Sequence, residues 1–155
     1  MTAGRTFTSK STDETRQLGE RLGALLKGGD VVLLSGELGA GKTVFVQGMA
    51  RGLGFDGSVS SKSFVLMGEY PGRLTLYHAD LYRLEEPEQV LELALDEISA
   101  DGVLAVEWPE RAGEGVLPEE DVRVDFEVTG EETRVLRLSA EGERGGEIIR
   151  ASGTI

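Results

Sequence analysis

The chain contains no cysteine and only a single histidine in 155 residues. The absence of thiols excludes a disulfide framework and a thiolate metal site. The chain also lacks an apolar run approaching the ~18 residues that a membrane-spanning helix requires. Its first residues, Met1–Arg5, lack the apolar core of a secretory signal. We therefore expect a cytoplasmic protein that folds as one domain over residues 1–155.

Positive charge is also scarce, because 16 basic residues stand against 28 acidic ones and the formal net charge is -12. The lysines are Lys10, Lys27, Lys42 and Lys62. Nucleic-acid-binding proteins usually carry a basic surface, since neutralising phosphates supplies much of their affinity. The composition therefore argues against tight nucleic-acid binding by the isolated chain. The acidic surface could serve solubility or dock on a basic partner, and the composition leaves both open.

The most informative segment is Gly36–Thr43, which reads GELGAGKT and matches the phosphate-binding pattern GxxxxGK(S/T). An apolar, β-rich run, Val31–Ser35, precedes it, and a helical pattern, Thr43–Leu53, follows it. Glycines let backbone N–H groups turn toward phosphate oxygens, and a helix N-terminus adds free donors and a positive dipole end. The lysine supplies a mobile cation, and the threonine hydroxyl can ligate Mg2+. The pattern predicts a nucleoside triphosphate site formed by Glu37, Leu38, Gly39, Ala40, Gly41, Lys42 and Thr43.

The segments around this loop alternate between helical and extended patterns. Ser11 and Glu14 form a capping-box pattern at the start of a helix that stops at Gly28. The helix carries an apolar stripe of Leu18, Leu22, Leu25 and Leu26. Further on, Phe64–Tyr70 and Leu74–Asp80 flank a Pro–Gly turn and predict a β-hairpin.

The second half of the chain begins with a predicted helix that has Pro87 in its first turn and an apolar face reaching Ile98. The continuous apolar run Val103–Val106 is typical of a buried central strand. Val122–Val128 and Thr133–Leu138 alternate with period two and predict an antiparallel hairpin.

Ile148–Ile149 are expected to add a short edge strand to that hairpin. Together these elements predict an α/β fold. We expect a P-loop NTPase-like three-layer domain with a mixed sheet that is parallel at its core and antiparallel at its edge strands.

Two carboxylates stand where predicted strands end, Asp80 and Glu107. In open α/β sheets the ligand crevice lies beyond the carboxyl ends of the parallel strands. Glu107 directly follows the buried run, so it is a candidate to ligate magnesium through water or to polarise the attacking water. Asp80 is the second candidate metal ligand. Either residue could instead be a solvated carboxylate at a strand end.

Ser60, Ser61 and Ser63 lie in the polar loop after the phosphate-loop helix. In many nucleotide switches this region carries a hydroxyl that senses the terminal phosphate, although loop serines often only form turns.

Arg83 and Arg111 each follow a candidate carboxylate and could neutralise transition-state charge, but pairing with neighbouring glutamates is favoured. For His78, a packed or surface role is favoured. Trp108 is expected to pack in the core, although its place beside Glu107 also allows contact with a nucleotide or a partner.

Three patterns occur in a fixed order: Gly36–Thr43 as GELGAGKT, His78–Leu84 as HADLYRL, and Val106–Arg111 as VEWPER. The segment Ser61–Tyr70, SKSFVLMGEY, stands between the first two. In this order and spacing the chain resembles the TsaE family of bacterial P-loop ATPases, which are needed to make threonylcarbamoyladenosine on tRNA. The phosphate loop is generic, whereas the second and third patterns are specific to the family.

The resemblance implies a P-loop nucleotide-binding domain that hydrolyses ATP slowly by itself. It also implies action with TsaB and TsaD, which carry out threonylcarbamoyl transfer, so that tRNA is reached through these partners. By motif, Lys42 would contact the terminal phosphates, Thr43 and Glu107 would lie at Mg2+, and Asp80 would be essential for hydrolysis. Ser63 would occupy the switch position.

One segment departs from the family pattern, because Ser61-Lys62-Ser63-Phe64 stands where S-P-T-(F/Y) is usual. Without the proline, the backbone is less restricted in φ at this point. The serine keeps a hydroxyl at the switch position.

Two other functions stay open on the sequence: a small-molecule P-loop kinase and a non-catalytic adaptor whose docking surface depends on the nucleotide. A kinase is disfavoured because the chain shows no arginine-rich lid segment and no clear acceptor-binding domain. A GTPase is disfavoured because no NKxD-like guanine-recognition segment occurs. An adaptor would require Asp80 and Glu107 to be dispensable.

Overall fold

The computed structural model describes residues 2–57, 67–84, 86, 89–90 and 94–153. The strands are β1 (Ala3–Ser9), β2 (Val31–Ser35), β3 (Met67–Tyr70), β4 (Leu76–Asp80), β5 (Val103–Glu107), β6 (Val122–Val128) and β7 (Arg134–Ala140). They form one seven-stranded sheet in the order β1-β7-β6-β2-β5-β4-β3. The alternating tail segments therefore pair as the predicted hairpin, β6 with β7.

The helices are α1 (Thr12–Leu25), α2 (Lys42–Gly52), α3 (Leu95–Ile98) and α4 (Glu143–Ser152), with a 3-10 turn at Pro109–Arg111. At the start of α1, the Ser11 hydroxyl oxygen accepts a hydrogen bond from the Glu14 backbone N–H at 3.1 Å, as the capping pattern predicts. Within the described part of the chain, no helix has the length and apolar character needed to cross a membrane.

The centre of the sheet is parallel, since β2 pairs with β5 and β6, and β5 pairs with β4. The pairs β1 with β7, β6 with β7 and β3 with β4 are antiparallel. This arrangement confirms the predicted mixed sheet. Because β2, β5 and β4 are parallel neighbours, their carboxyl ends lie side by side at one edge of the sheet.

Each face of the sheet carries its own apolar core. On one face, α1, α2 and α4 pack on residues that include Val32 and Leu34 of β2. On the other face, Val31 and Leu33 pack with α3 and with the chain segments that flank β5. Successive side chains of β2 therefore point to opposite faces of the sheet, and both faces are covered. This gives the predicted three layers, with the sheet as the middle one.

Helices α1 and α2 approach each other at glycines on both sides of their contact. A Cβ atom at Gly19 would lie 2.1 Å from the Phe45 carbonyl oxygen, and one at Gly48 would lie 2.0 Å from the Arg16 carbonyl oxygen. Any side chain at these positions would push the helices apart. This contact fixes the position of α2, whose first turn belongs to the phosphate loop.

One sequence-based prediction of local structure is wrong, and a second is confirmed only in part. Ile148 and Ile149 lie in α4 and not in an edge strand. The buried positions of this segment are Gly145, Gly146, Ile148, Ile149 and Ser152, a spacing that follows the helical period. Two adjacent isoleucines are too short a run to distinguish a strand from a helix.

The predicted helix from Pro87 to Ile98 is not continuous, because Ala94 has a left-handed conformation with φ 48° and ψ 50°. Helix α3 begins only after this residue, at Leu95. Such a conformation cannot be read from the apolar pattern, which continues on both sides of Ala94. Pro87 and residues 91–93 lie outside the described residues.

Candidate active site at the phosphate loop

The segment Gly36–Thr43 connects β2 to α2, as predicted. Gly36 and Gly41 have positive φ angles of 149° and 101°, which only glycine adopts without strain. A Cβ atom at Gly36 would also lie 2.9 Å from the Phe126 carbonyl oxygen. The loop leads directly into the first turn of α2, where backbone N–H groups lack helical partners and can bind an anion.

Lys42 is buried at the centre of the loop, with 4% of its surface exposed. Its Nζ donates hydrogen bonds to the carbonyl oxygens of Gly36 and Glu37, and it lies 3.9 Å from the centroid of the Trp108 ring. Burial lowers the pKa of Lys42, and the nearby carboxylates, Glu107 foremost, oppose this shift. Because its present acceptors are neutral, the ammonium group can exchange them for phosphate oxygens.

Glu107 ends β5 and lies against the first turn of α2. The Thr43 hydroxyl is 3.1 Å from Oε2 and 3.3 Å from Oε1 of its carboxylate. Glu107 is only 3% exposed, so the alternative of a solvated strand-end carboxylate is wrong for this residue. The structure thus joins the loop threonine to the strand-end carboxylate, as expected for residues that share a magnesium ion.

His78 lies on β4 and contacts Glu107, with 2.6 Å between its Nε2 and Glu107 Oε2. The histidine is 1% exposed, which confirms a packed residue. Its contact with the candidate site was not predicted from the sequence. The available signal was that His78 and Asp80 share one face of a strand, but the contact depends on β4 lying beside β5, which local pattern does not determine.

Asp80 ends β4 directly beside Glu107, its partner in the parallel register. Its Oδ1 accepts a hydrogen bond from the Tyr82 backbone N–H at 3.0 Å. Burial raises the pKa of Asp80; the Tyr82 hydrogen bond opposes this shift and the charge of Glu107 adds to it. Two carboxylates therefore meet at the edge of the sheet that faces the phosphate loop.

Trp108 follows Glu107 in a left-handed conformation, with φ 60°. Its ring packs against Tyr82 at a centroid distance of 5.0 Å. Arg111 lies over both rings, at 5.5 Å from Tyr82 and 5.8 Å from Trp108. Arg111 forms no ion pair with the described glutamates Glu86 and Glu110, and its third possible partner, Glu85, lies outside the described residues, so its expected pairing stays a prediction.

Arg83 also lies near this cluster, 6.0 Å from the Tyr82 ring. Its possible partner Glu85 lies outside the described residues, so its expected pairing stays a prediction. The aromatic rings and guanidinium groups form a cation–π cluster beside the candidate site.

Arg134, at the start of β7, is a second residue that the sequence-based analysis missed. Its Nε donates to the Ala40 carbonyl oxygen and its Nη2 to the Gly39 carbonyl oxygen, both at 3.2 Å. Its Nη1 donates to carbonyl oxygens of the preceding turn, including Gly130 at 3.0 Å and Thr133 at 2.8 Å. One guanidinium group therefore ties the phosphate loop to the turn between β6 and β7.

The donor set fits a magnesium ion that is shared with a nucleotide. Thr43 offers a hydroxyl, and Asp80 and Glu107 offer carboxylates, at one edge of the sheet. Among the described residues, no group of three or more His, Asp or Glu side chains could hold a metal ion. Mg2+ usually binds through one or two carboxylates together with phosphates and water, and this site offers two carboxylates and a hydroxyl.

The candidate switch residues Ser60, Ser61 and Ser63 lie outside the described residues, as does the departure at Lys62. Of the loop residues predicted to bind phosphate, Leu38 is 67% exposed and Ala40 is buried. The structure thus places residues 37–43, Asp80 and Glu107 around one site, and their roles in it stay predictions.

Comparison with known proteins finds the family that the sequence motifs indicate. The family model described as "Threonylcarbamoyl adenosine biosynthesis protein TsaE" matches residues 9–136. The chain is 40% identical over 132 residues to the tRNA threonylcarbamoyladenosine biosynthesis protein TsaE of Treponema pallidum, which covers 84% of this chain and 97% of that protein. It is also 40% identical over 134 residues to the Bacillus subtilis protein of the same name, covering 85% and 83% of the two chains.

A solved structure has the same fold over the full length. The chain matches the crystal structure of Bacillus subtilis YdiB with a TM-score of 0.81 and 32% sequence identity. The match covers 99% of this chain and 97% of that one.

Proposed function

Because this chain belongs to the TsaE family of tRNA threonylcarbamoyladenosine biosynthesis proteins, we propose that it binds ATP with Mg2+ and hydrolyses it slowly in support of that modification. The observation that carries the proposal is the contact between the Thr43 hydroxyl and the Glu107 carboxylate, 3.1 Å apart beside the buried Lys42. A glycine turn with only a structural purpose would not need a buried lysine, a threonine and a carboxylate together.

The phosphate loop binds the phosphates of ATP. Backbone N–H groups of the loop and of the first turn of α2 surround the phosphate oxygens, and Lys42 gives up its loop carbonyls to neutralise the terminal phosphates. When bound, Mg2+ would neutralise the charge that develops on the phosphate oxygens. Thr43 and Glu107 are the residues that would hold it, directly or through water.

Asp80 orients the attacking water. It lies beside Glu107, and the Tyr82 backbone N–H fixes one of its oxygens. The second oxygen of the carboxylate can accept a proton from water in the transition state.

The family membership supports action through TsaB and TsaD in the cytoplasm. A net charge of -12 opposes direct tRNA binding by this chain. In the proposed arrangement TsaB and TsaD hold the tRNA and transfer the threonylcarbamoyl group, while ATP binding or hydrolysis here changes the conformation of the complex.

The test is the ATP hydrolysis rate of this chain, measured alone and with a purified TsaB–TsaD complex of demonstrated activity. Slow hydrolysis by the chain alone, strongly stimulated by the partners, supports the proposal. Hydrolysis that the partners leave unchanged would favour a kinase, and phosphate transfer to small-molecule acceptors would then be assayed. Full support of modification by hydrolysis-dead variants would favour the nucleotide-dependent adaptor.

A further inference from the structure

The hydrogen bond between His78 and Glu107 has no part in the proposed function as stated above. The two side chains lie on neighbouring parallel strands, with 2.6 Å between Nε2 and Oε2. Both are almost completely buried, at 1% and 3% exposure. A carboxylate can accept this hydrogen bond when the imidazole carries a proton on Nε2.

The other ring nitrogen of His78 has no comparable contact. Nδ1 is buried and has no hydrogen-bond partner among the described residues. The Tyr70 ring lies at a centroid distance of 6.5 Å from the imidazole. Within the described part of the chain, the polar interactions of the imidazole are therefore directed entirely at Glu107.

This bond limits the orientation of the Glu107 carboxylate. Oε2 is held by His78 from one side, and the Thr43 hydroxyl lies within 3.3 Å of both oxygens from the other. A glutamate side chain has three rotatable bonds, and two fixed partners on different elements select one orientation. Oε1 is then presented beside the Thr43 hydroxyl, where the cation is proposed to bind.

We propose that His78 is a positioning residue that fixes the Glu107 carboxylate for magnesium-dependent ATP hydrolysis. The inference rests on the proposed function, because it assigns Glu107 a partner within the same site. Residues that orient metal-binding groups through a hydrogen bond typically contribute about 10- to 100-fold to metal affinity or activity.

The kinetic test compares His78→Leu with His78→Gln. Leucine removes the donor and keeps much of the volume, whereas glutamine can place an amide N–H near the position of Nε2. We expect His78→Leu to lower kcat or raise the Mg2+ concentration for half-maximal activity by about 10- to 100-fold. His78→Gln should recover most of that loss, and ATP binding without Mg2+ should be unchanged in both variants.

A matched control separates positioning from loss of stability. Leu76→Val changes a fully buried residue on the same strand, at the end that pairs with Val103 and not with Glu107. It should lower the thermal stability without changing the Mg2+ dependence. If His78→Leu retains the wild-type kcat and Mg2+ dependence while wild type is active, the inference is overturned and the proposed function stands.

A second readout needs no activity. His78 is the single histidine of the chain, so its imidazole signals in a long-range 1H–15N NMR spectrum are assigned without further variants. We expect a protonated Nε2 that exchanges slowly with solvent and an unprotonated Nδ1. In Glu107→Gln the Nε2 proton signal should shift, because a charged acceptor has become neutral.

Protonation on Nδ1 alone, or a spectrum that is insensitive to Glu107→Gln, would overturn the positioning contact. By contrast, a wild-type chain with the expected imidazole spectrum but no Mg2+-dependent ATP binding would overturn the proposed function, and the positioning role of His78 with it.

Discussion

Arg134 holds the phosphate loop from outside, since its Nε donates a hydrogen bond to the Ala40 carbonyl oxygen at 3.2 Å. The two residues are 94 positions apart in the chain. The same guanidinium also donates to three carbonyls around the turn between β6 and β7, namely Gly130, Glu131 and Thr133. The shape of the phosphate loop therefore depends on the tail hairpin as well as on its own glycines.

Arg134→Ala should weaken ATP binding, because the loop loses its contact with β7 and has to be ordered by the ligand. We expect Kd to rise by about tenfold, which corresponds to ~1.4 kcal/mol. Arg134→Lys should not restore the affinity, since an ammonium group cannot span both sets of carbonyls. Titration calorimetry measures the affinity.

Arg137→Ala is the matched control for this change. Arg137 lies on the same strand and forms an exposed ion pair with Glu127 at 2.8 Å, so its removal should leave Kd unchanged. Equal effects of the two alanine variants would show that Arg134 acts only through its positive charge and not through its hydrogen bonds to the phosphate loop.

Asp80→Asn should abolish most hydrolysis and retain ATP binding. The amide oxygen can still accept the Tyr82 backbone N–H, so the local structure persists while the proton acceptor is lost. A decrease in kcat of about 100-fold or more is expected for loss of a general base. The measurement is single-turnover hydrolysis together with Kd for ATP.

Asp101→Asn is the control, since Asp101 is exposed at the opposite end of β5. It should keep the wild-type rate and affinity. An Asp80→Asn variant with the wild-type rate would remove Asp80 from the catalytic residues.

Gly48→Ala should destabilise the fold strongly, because the new methyl group would lie 2.0 Å from the Arg16 carbonyl oxygen. Helix backbones cannot yield as a flexible side chain can, so α1 and α2 must separate. We expect a loss of roughly 1–3 kcal/mol or more in the free energy of unfolding. Urea denaturation measures it.

Gly142→Ala serves as the comparison for this loss, because a Cβ atom there meets nothing within 4 Å. Its effect should stay within about 0.5 kcal/mol. A Gly48→Ala protein as stable as Gly142→Ala would contradict the close packing of the two helices.

Asp121→Asn should make the stability less dependent on pH. Asp121 accepts a hydrogen bond from the Val31 backbone N–H at 2.8 Å. Burial raises its pKa above the usual 3.8, and the Val31 bond opposes that shift, while the charge of Asp30 adds to it. A raised pKa means that the ionised form costs stability, fully so above the folded-state pKa.

The asparagine variant keeps an acceptor for Val31 and removes the charge. Its melting temperature should equal or exceed that of wild type at pH 7. The difference should shrink as pH falls through the raised pKa of Asp121 toward its unfolded value, because the wild-type carboxyl becomes protonated. Thermal melts from pH 3 to pH 8 test this, and a difference that grows on acidification would contradict it.

Local motifs made part of the site predictable. The sequence Gly36–Thr43 places its glycines, lysine and threonine within one loop, and the apolar run Val103–Val106 places Glu107 at a strand end. Helical and extended periods also predicted α1, the parallel core and the tail hairpin. The helix and the hairpin depend on residues close together in the chain, whereas the parallel core was indicated by continuous apolar runs typical of buried parallel strands.

The parts that could not be predicted depend on strand order or on single backbone conformations. His78 and Glu107 are 29 positions apart and meet only because β4 lies beside β5. Arg134 reaches the phosphate loop only because β7 pairs with β6, and β6 pairs with β2, the strand that leads into the loop. The left-handed Ala94 breaks a helix within an apolar pattern that fits an uninterrupted helix equally well. Ile148 lies in a helix, although its short apolar run fits a strand equally well.

The most direct test of the proposed site is a calorimetric titration of ATP into the chain in the presence of Mg2+, for wild type and for Lys42→Ala. Saturable binding by wild type and its loss or severe weakening in Lys42→Ala is the expected result, because the variant lacks the cation at the centre of the loop. Wild-type affinity in Lys42→Ala, or no binding by wild type, would contradict the assignment of the site.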